Sequence, residues 1–143
     1  MDTPNNIVYS VTADSTGGRA GTSTVDALGL TLDLRAPKEL GGPGGGANPE
    51  AFFAMGYGAC FQGAMGLAAK QMDIDTANSV VRTTVGFGPE GESYAITATL
   101  EVFVPGVELD RVQALADRAH ELCPYSKATR GNVPVTVKAV PAL

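Results

Sequence analysis

Cysteine, histidine and tryptophan are scarce in this sequence. Its 143 residues include two cysteines, Cys60 and Cys123, a single histidine, His120, and no tryptophan. Two isolated cysteines with one histidine do not match the ligand spacing of a protein metal site. We therefore expect no bound metal ion. Two cysteines in a cytosolic context are also too few for a scaffold of structural disulfides.

Positive charge is scarce as well. The chain has 10 lysines and arginines against 15 aspartates and glutamates, and it contains no basic run. A nucleic-acid surface needs a basic stripe to neutralise phosphates, so we expect no nucleic-acid partner. No apolar stretch reaches the roughly 18 residues that would suggest a membrane-spanning helix, so we expect no membrane contact. The first ten residues lack the basic and apolar regions of an export signal, which predicts a cytoplasmic protein.

Apolar residues, by contrast, are plentiful. Hydrophobic residues make up 44% of the chain and charged residues 17%, which is typical of a globular protein. The length suits a single domain over residues 1–143. Near the start, Ile7, Tyr9 and Val11 alternate with other residues and predict a strand over residues 7–13. Further strands are predicted within residues 19–27 and at residues 30–34.

A long apolar helix is predicted next, after a glycine-rich loop. Asn48 suits the N-cap, Pro49 the first helical position and Glu50 the positive end of the helix dipole. Between residues 51 and 69 the only strongly polar side chain is Gln62, which predicts a buried helix that ends near Met72. Five small residues lie on this helix and would let another backbone approach closely: Gly56, Gly58, Ala59, Gly63 and Gly66.

The remaining segments complete an α+β pattern. Two strand patterns flank residues 89–92 and predict a hairpin. An amphipathic stripe predicts a second helix from about Leu109 to Cys123, which Pro124 ends. Residues 133–140 are predicted as a last strand. Because the strands and helices are segregated, we expect an α+β fold with antiparallel sheets, a long buried central helix and a second amphipathic helix.

Each thiol has a structural and a chemical interpretation. Cys60 lies in the middle of the apolar helix, where a cysteine acts as a small hydrophobic residue and burial raises its pKa. It would become reactive only beside a cation. Cys123 lies at a helix end, where we expect it to be less buried. From the residues alone, Cys123 is either an apolar plug or one half of a redox pair with Cys60.

Several groups are candidates to activate a thiol. Arg19 follows a Gly-Gly turn, and its guanidinium is suited to stabilise a thiolate, with Glu50 as the natural carboxylate partner. His120 precedes Cys123 by three residues, which allows a Cys-His dyad, but a partly exposed helical histidine is the preferred interpretation. The alternative for each of these residues is that it is an ordinary surface charge. Other cations in loops or turns are Lys38, Lys127 and Arg130.

Two segments carry a family resemblance. The sequence "NPEAFFAMGYGACF" around Cys60 and the sequence "CPYSKATRGN" from Cys123 resemble the two cysteine motifs of the organic hydroperoxide resistance (Ohr) proteins, within the Ohr/OsmC superfamily. The resemblance covers essentially the whole chain, including "GGRAG" around Arg19. The second motif is the more specific one, since the OsmC branch has a shorter Cys-Pro-x-Ser signature. Ala51 departs from the family's usual glutamine, without an evident catalytic consequence.

This resemblance implies a chemistry and a role for each site residue. It implies a thiol-dependent peroxidase that reduces alkyl or fatty-acyl hydroperoxides to alcohols. Cys60 matches the peroxidatic cysteine, Cys123 the resolving cysteine, and Arg19 and Glu50 the charged pair around the reactive thiol. The implied reductant is a lipoylated protein or a small dithiol, and no metal, haem, flavin or nicotinamide cofactor is implied. Three alternatives stay open: a non-catalytic protein with structural thiols, a redox sensor, and an OsmC-type peroxidase with another peroxide preference.

The resemblance also implies an OsmC-like fold and an intertwined homodimer with active sites at the subunit interface. Glu50 and Cys60 are ten residues apart on one predicted helix, roughly 15 Å along its axis. We therefore expect Arg19 and Glu50 of one chain to serve Cys60 of the other, with two copies of the helix packed antiparallel. The alternative is a break at Gly56 or Gly58 that folds the helix back within one chain.

Overall fold

The computed structural model describes residues 1–143, which form two compact parts, residues 1–52 and residues 53–143. The first part is built around a three-stranded antiparallel sheet in the order β1 (Asp14–Thr16), β2 (Thr22–Val25) and β3 (Leu30–Asp33). A 3₁₀ turn at Gly18–Ala20 separates β1 from β2, and another at Asp26–Leu28 separates β2 from β3. A third 3₁₀ turn at Lys38–Leu40 precedes the glycine-rich loop.

The strand predicted over residues 7–13 does not form. The chain has no regular structure before Asp14. The apolar side chains of the segment are largely exposed, with Ile7 at 70% and Tyr9 at 72%. A strand exists only when another strand accepts its hydrogen bonds, and this segment has no such partner within the chain. The strand predicted at residues 30–34 is confirmed as β3, and the one within residues 19–27 is confirmed as the shorter β2.

Little apolar surface is buried in the first part. Leu34 is its only buried residue, beside the bridge that joins Leu34 to Ala47. Leu30 and Leu32 on β3 remain exposed. Because apolar burial is the dominant favourable term in folding, the first part has little core of its own to stabilise it.

Helix α1 (Pro49–Met72) has the predicted bounds. The predicted cap at Asn48 is confirmed, since its side-chain Oδ1 accepts a hydrogen bond of 2.9 Å from the backbone N–H of Ala51. The helix runs without interruption through Gly56 and Gly58, so the alternative of a break at these glycines is wrong.

The second part contains a three-stranded mixed sheet in the order β4-β5-β6. Strands β4 (Val80–Glu90) and β5 (Ser93–Phe103) form the predicted hairpin, closed by Gly91, whose φ is 54°. Strand β6 (Val135–Ala139) pairs parallel to β5, which corrects the expectation of purely antiparallel sheets. Parallel neighbours need a long crossover connection, and the helices between β5 and β6 supply it.

Two helices lie in this crossover. Helix α2 (Leu109–Leu122) has the predicted amphipathic character, and helix α3 (Pro124–Thr129) was not predicted. Pro124 ends α2 and also begins α3, because a proline is favourable at the first position of a helix. Cys123 is thus the corner residue between two helices.

The core of the second part joins α1, α2 and the central strand β5. Its largest fully buried side chains are Tyr57, Phe61, Met65, Leu100, Val102, Val112, Leu115 and Cys123. The fold is therefore α+β, with one long helix against the sheet. None of the three helices combines the length and the apolar character needed to cross a lipid bilayer.

One face of α1 is not covered within the chain. Its residues recur at every fourth position, and we call them the α1 stripe: Met55, Ala59, Gly63 and Leu67. Met55 is 59% exposed and Leu67 is 60% exposed. The expectation of a helix buried on all sides is therefore met on only part of its surface. A ridge of residues spaced by four is the surface that another helix packs against.

Candidate thiol site

Arg19 and Glu50 form a bidentate ion pair in the first part of the chain. Arg19 Nη1 donates to Glu50 Oε2 over 2.6 Å, and Nη2 donates to Oε1 over 2.7 Å. The 3₁₀ turn at Gly18–Ala20 presents the arginine, and the first turn of α1 presents the glutamate. The predicted partnership of these two side chains is confirmed. Two parallel charge-assisted bonds fix the plane of the guanidinium.

The pair shifts the titration of both partners. The hydrogen bond to Arg19 holds the pKa of the Glu50 carboxyl below its usual range, although partial burial opposes this shift. The same hydrogen bond raises the pKa of Arg19. The side chain of Glu50 is 17% exposed and that of Arg19 is 36% exposed, so the pair lies at the edge of the solvent. A fixed positive charge of this kind can stabilise an anion or grip a polar oxygen.

Cys60 and Cys123 come together in the second part of the chain. The Cys123 thiol donates a hydrogen bond to the Cys60 sulfur, and the two Sγ atoms are 3.6 Å apart. Both cysteines are free thiols. The expectation that the end of the second helix would meet the middle of the first within one chain is confirmed. A small movement of either side chain would bring the sulfurs to bonding distance, about 2.05 Å.

The burial of the two thiols is the reverse of the expectation. Cys123 is fully buried, whereas Cys60 is partly exposed. Cys123 belongs to the hydrophobic core, and at the corner between α2 and α3 its backbone N–H bonds the Ala119 carbonyl while its carbonyl accepts from the Lys127 N–H. Cys60 lies toward the open side of α1. The more accessible sulfur is therefore the one on the long helix.

The immediate surroundings disfavour a Cys60 thiolate. Burial raises the pKa of the Cys60 thiol, and a hydrogen bond from the backbone N–H of Tyr125 opposes that rise. The neighbouring Cys123 raises the pKa further, first through the side-chain hydrogen bond between the two thiols and then through charge repulsion. Only the thiolate is strongly nucleophilic, so Cys60 needs a positive charge to react rapidly near neutral pH.

Aromatic rings lie beside the two thiols. The ring centroids of Phe53 and Tyr57 are 5.8 Å apart, and those of Tyr57 and Tyr125 are 5.9 Å apart. A side chain at Gly56 would meet the Tyr125 hydroxyl at 3.2 Å, so this glycine makes room for Tyr125. That finding corrects the expected use of Gly56 in helix-helix packing. Phe61, with Met65 and Tyr57, belongs to the closed core, whereas Phe53 and Tyr125 keep partly exposed surface.

A buried polar cluster behind the thiols was not predicted. The Tyr57 hydroxyl is 2.9 Å from Ser126 Oγ, and Ser126 Oγ is 2.7 Å from His120 Nδ1. Ser126 and Thr129 are both buried, and Thr129 Oγ1 donates to the Ser126 carbonyl. The spacing of His120 and Ser126, each three residues from Cys123, would have predicted that these side chains meet only if helix α3 had been recognised in the sequence. Such a cluster is stable because its hydroxyl groups satisfy one another.

Two other predicted candidates, His120 and Arg130, have hydrogen-bond partners other than a thiol. His120 bonds Ser126 and so has a partner other than a thiol in the structure. Arg130 Nη2 donates to the His120 carbonyl over 2.8 Å. The structure brings no three His, Cys, Asp or Glu side chains into a cluster that could hold a metal ion. The site residues thus form two pairs, Arg19 with Glu50 and Cys60 with Cys123, one in each compact part of the chain.

Comparison with known proteins identifies relatives over almost the whole chain. A family model described as OsmC-like protein matches residues 42–138. The organic hydroperoxide resistance protein of Xanthomonas axonopodis pv. citri is 42% identical over 139 residues, which cover 96% of this chain and 98% of that protein.

Solved structures give the same result. The crystal structure of the organic hydroperoxide resistance protein OhrB of Bacillus subtilis superimposes with a TM-score of 0.84 at 36% identity, over 94% of this chain and all of that one. The structure of an organic hydroperoxide resistance protein from Legionella pneumophila gives a TM-score of 0.88 at 36% identity, over 96% of this chain and all of that one. The sequence comparison and the structure comparison thus identify the same kind of relative.

Proposed function

Because this chain belongs to the OsmC-like family, among the organic hydroperoxide resistance proteins, we propose that it is a thiol-dependent peroxidase that reduces organic hydroperoxides to alcohols. The observation that carries the proposal is the 3.6 Å separation between the Cys60 and Cys123 sulfurs. Two free thiols at this distance are suited to a cycle in which one is oxidised and the other resolves it.

In the first step, the Cys60 thiolate attacks the outer oxygen of the hydroperoxide. The S–O bond forms as the O–O bond breaks, and the alkoxide takes a proton and leaves as the alcohol. Cys60 is thereby oxidised to a sulfenic acid. We assign this role to Cys60 and not to Cys123 because Cys60 is the more accessible sulfur and accepts the Cys123 hydrogen bond.

Arg19 supplies the positive charge that this step requires. The surroundings of Cys60 raise its pKa, so a cation must stabilise the thiolate. Arg19 is always charged and is held by Glu50, and a guanidinium is a suitable donor to a peroxide oxygen. Glu50 acts through Arg19 as a positioning residue, because its two bonds fix the guanidinium.

In the second step, the Cys123 sulfur attacks the sulfur of the Cys60 sulfenic acid. The S–S bond forms, the S–O bond breaks, and the hydroxide leaves with the Cys123 proton as water. The short distance between the sulfurs supports this step, because it demands little rearrangement. A dithiol, such as the lipoyl group of a protein, then reduces the disulfide by exchange. A disulfide that opens in every cycle is compatible with the reducing cytoplasm, where we place the protein.

An apolar substrate suits the partly exposed aromatic surface. Tyr125 lies next to Cys60 through its backbone N–H, and the rings of Phe53 and Tyr125 are 6.3 Å apart. An alkyl or fatty-acyl chain would gain contact with these rings, whereas hydrogen peroxide has no apolar group to bury. We therefore place the organic part of the hydroperoxide against Phe53 and Tyr125.

The active form is proposed to be an intertwined homodimer. The α1 stripe is exposed and apolar, and Leu34 is the only buried residue of the first part of the chain. A second copy would cover the stripe by antiparallel packing of the two α1 helices and could pair with residues 7–13. Since Glu50 and Cys60 are about 15 Å apart along the helix axis, each Cys60 would use Arg19 and Glu50 of the other subunit.

A peroxide competition assay tests this function. Cumene hydroperoxide and hydrogen peroxide would compete for the reduced protein, with dihydrolipoamide as the reductant that sustains turnover. We expect consumption of the organic hydroperoxide to dominate at equal concentrations. Steady turnover would distinguish a peroxidase from a protein that reacts once and signals. Equal consumption of both peroxides, or none, would contradict the proposal.

A further inference from the structure

Three side chains link the two cysteine-bearing segments through their hydroxyl groups and one imidazole. We call them the Tyr57–Ser126–His120 chain. Tyr57 lies on α1 three residues before Cys60, His120 lies on α2 three residues before Cys123, and Ser126 lies on α3 three residues after Cys123. Its distances are 2.9 Å from Tyr57 Oη to Ser126 Oγ and 2.7 Å from Ser126 Oγ to His120 Nδ1.

The hydrogen bonds of this chain have a consistent direction. Burial lowers the pKa of His120, the charge of Arg130 lowers it further, and Asp117 opposes both effects. The ring is therefore neutral near pH 7, and its Nδ1 can accept the Ser126 O–H. The Ser126 oxygen then accepts the O–H of Tyr57. Thr129 Oγ1 donates its own proton to the Ser126 carbonyl, so at 3.3 Å from the Tyr57 hydroxyl it serves as a second, longer acceptor for Tyr57.

The location of the chain is unusual for polar groups. Tyr57 and Ser126 are both 0% exposed, and a buried hydroxyl without a partner is costly. The bonds can form only if α3 is seated against α1 and folded back on the last turn of α2. The network therefore favours one arrangement of the α2–α3 corner, which is the corner that contains Cys123.

We propose that the Tyr57–Ser126–His120 chain is a positioning device that holds the Cys123 sulfur within reach of Cys60. This proposal deepens the proposed function, on which its catalytic consequence rests. His120 acts through Ser126, and Ser126 acts through the backbone of the corner. In the enzyme, the device speeds disulfide closure, so that Cys123 captures the Cys60 sulfenic acid before a second peroxide oxidises it to a sulfinic acid.

The first test measures the stability of the disulfide without any peroxide. Diamide, which is reduced to its hydrazine as it oxidises a dithiol, converts the protein to the Cys60–Cys123 disulfide, and equilibrium with dithiothreitol then gives an exchange constant. We expect Tyr57→Phe and Ser126→Ala each to shift this constant toward the dithiol by roughly three- to tenfold. His120→Ala should do the same, and His120→Asn should recover most of the loss, because the amide oxygen replaces the Nδ1 acceptor.

Controls separate positioning from general stability. Tyr94→Phe removes a phenol from the exposed end of the hairpin and should leave the constant unchanged. Circular dichroism would show whether each variant is folded. If Ser126→Ala fails to fold, Tyr57→Phe still tests the proposal, because it removes only the hydroxyl group and keeps the ring in the core. Wild-type constants in folded Tyr57→Phe and His120→Ala would overturn the proposal. Failure of diamide to form the disulfide in the wild-type protein would overturn it as well.

The second test addresses catalysis. With excess cumene hydroperoxide, mass spectrometry should find several-fold more Cys60 sulfinic acid in Tyr57→Phe than in the wild-type protein. If diamide closes the disulfide but cumene hydroperoxide never oxidises Cys60, the proposed function fails while the positioning device stands. If the peroxide reaction is normal and the variants keep wild-type exchange constants and sulfinic acid yields, the device fails while the proposed function stands.

Discussion

The sulfurs of Cys60 and Cys123 lie 3.6 Å apart within one chain, although 63 positions separate them in the sequence. One comes from the middle of a long helix and the other from a corner between two shorter ones. Their separation exceeds a disulfide bond by roughly 1.6 Å, which side-chain rotation and a small backbone shift can supply. In the reduced protein the two sulfurs thus already lie near the distance that the proposed disulfide requires.

The two cysteines should fail in different ways when each is replaced. Cys60→Ser should abolish reaction with cumene hydroperoxide, because no other sulfur is placed as the nucleophile. Cys123→Ser should still consume one equivalent of peroxide but lose turnover with a dithiol that needs the disulfide. Single-turnover and steady-state assays on the same preparations separate the two effects. Full turnover by Cys60→Ser would show that its role has been misassigned.

Arg19→Ala should move the pH dependence of Cys60 alkylation to higher pH. Removing the guanidinium removes the charge proposed to stabilise the thiolate, so the pKa of Cys60 rises and less thiolate is present at a given pH. The rate of iodoacetamide reaction, measured in a Cys123→Ser background, reports on Cys60 alone. Arg118→Ala removes an exposed arginine paired with Glu121 and is the matched control. An unchanged profile in folded Arg19→Ala would mean that another group activates the thiol.

The ion pair of Arg19 with Glu50 should also contribute to stability in a pH-dependent way. Since Arg19 lowers the pKa of folded Glu50, the contribution is fully present above the unfolded value, about 4.3. It is lost as the pH falls through the lowered folded value. Thermal unfolding should therefore show Glu50→Gln to be less stable than the wild-type protein at pH 7, with a gap that narrows in acid. A gap that stays constant into acid would contradict this account.

Gly63→Leu should block dimer formation without unfolding the chain. A side chain at Gly63 meets no other atom within 4 Å in the chain, so the isolated fold has room for it. A leucine there would keep the α1 stripes of two copies apart. Gly63→Ala is the graded control, since it should stabilise the helix by about 1 kcal/mol while leaving the stripe nearly flat. Light scattering gives the mass of each variant in solution. If Gly63→Leu is still a dimer, the interface does not involve the α1 stripe.

Mixed dimers should recover activity if the sites are shared. Cys60→Ser and Glu50→Ala are each expected to be inactive, and the two would be unfolded and refolded together. A mixed dimer has one complete site, formed by the Cys60 of one chain and the Glu50 of the other. With random pairing, the mixture should regain about one quarter of wild-type activity. Verified mixed dimers without activity would show that each chain builds its own site.

Elements that depend only on neighbouring residues could be predicted from the sequence. Asn48, Pro49 and Glu50 predicted the start of α1 because capping and dipole effects depend on neighbouring residues only. The hairpin was predicted from two strand patterns around a short turn, for the same reason. The cysteine motifs indicated the family, which the comparisons confirm, and the chemistry proposed for the site follows from the thiol groups of those residues.

Other features depended on partners distant in sequence. Residues 7–13 have a strand pattern but no strand to pair with in the chain, and β6 is parallel because the crossover through α2 and α3 returns it beside β5. Helix α3 was missed because Pro124 ends one helix and begins the next, and a local rule reports only the ending.

The burial of the site residues was decided by tertiary packing alone. A cysteine in mid-helix was expected to be the more buried one, yet the inward fold of the α2–α3 corner buries Cys123 and leaves Cys60 partly open. The bond between Tyr57 and Ser126 joins positions that no local pattern connects. The sequence by itself determined which residues carry a thiol or a charge, because these groups belong to residue type. Only the tertiary structure decided which thiol is accessible and which polar groups lie around the other, because burial and hydrogen bonding depend on the packing of separate segments.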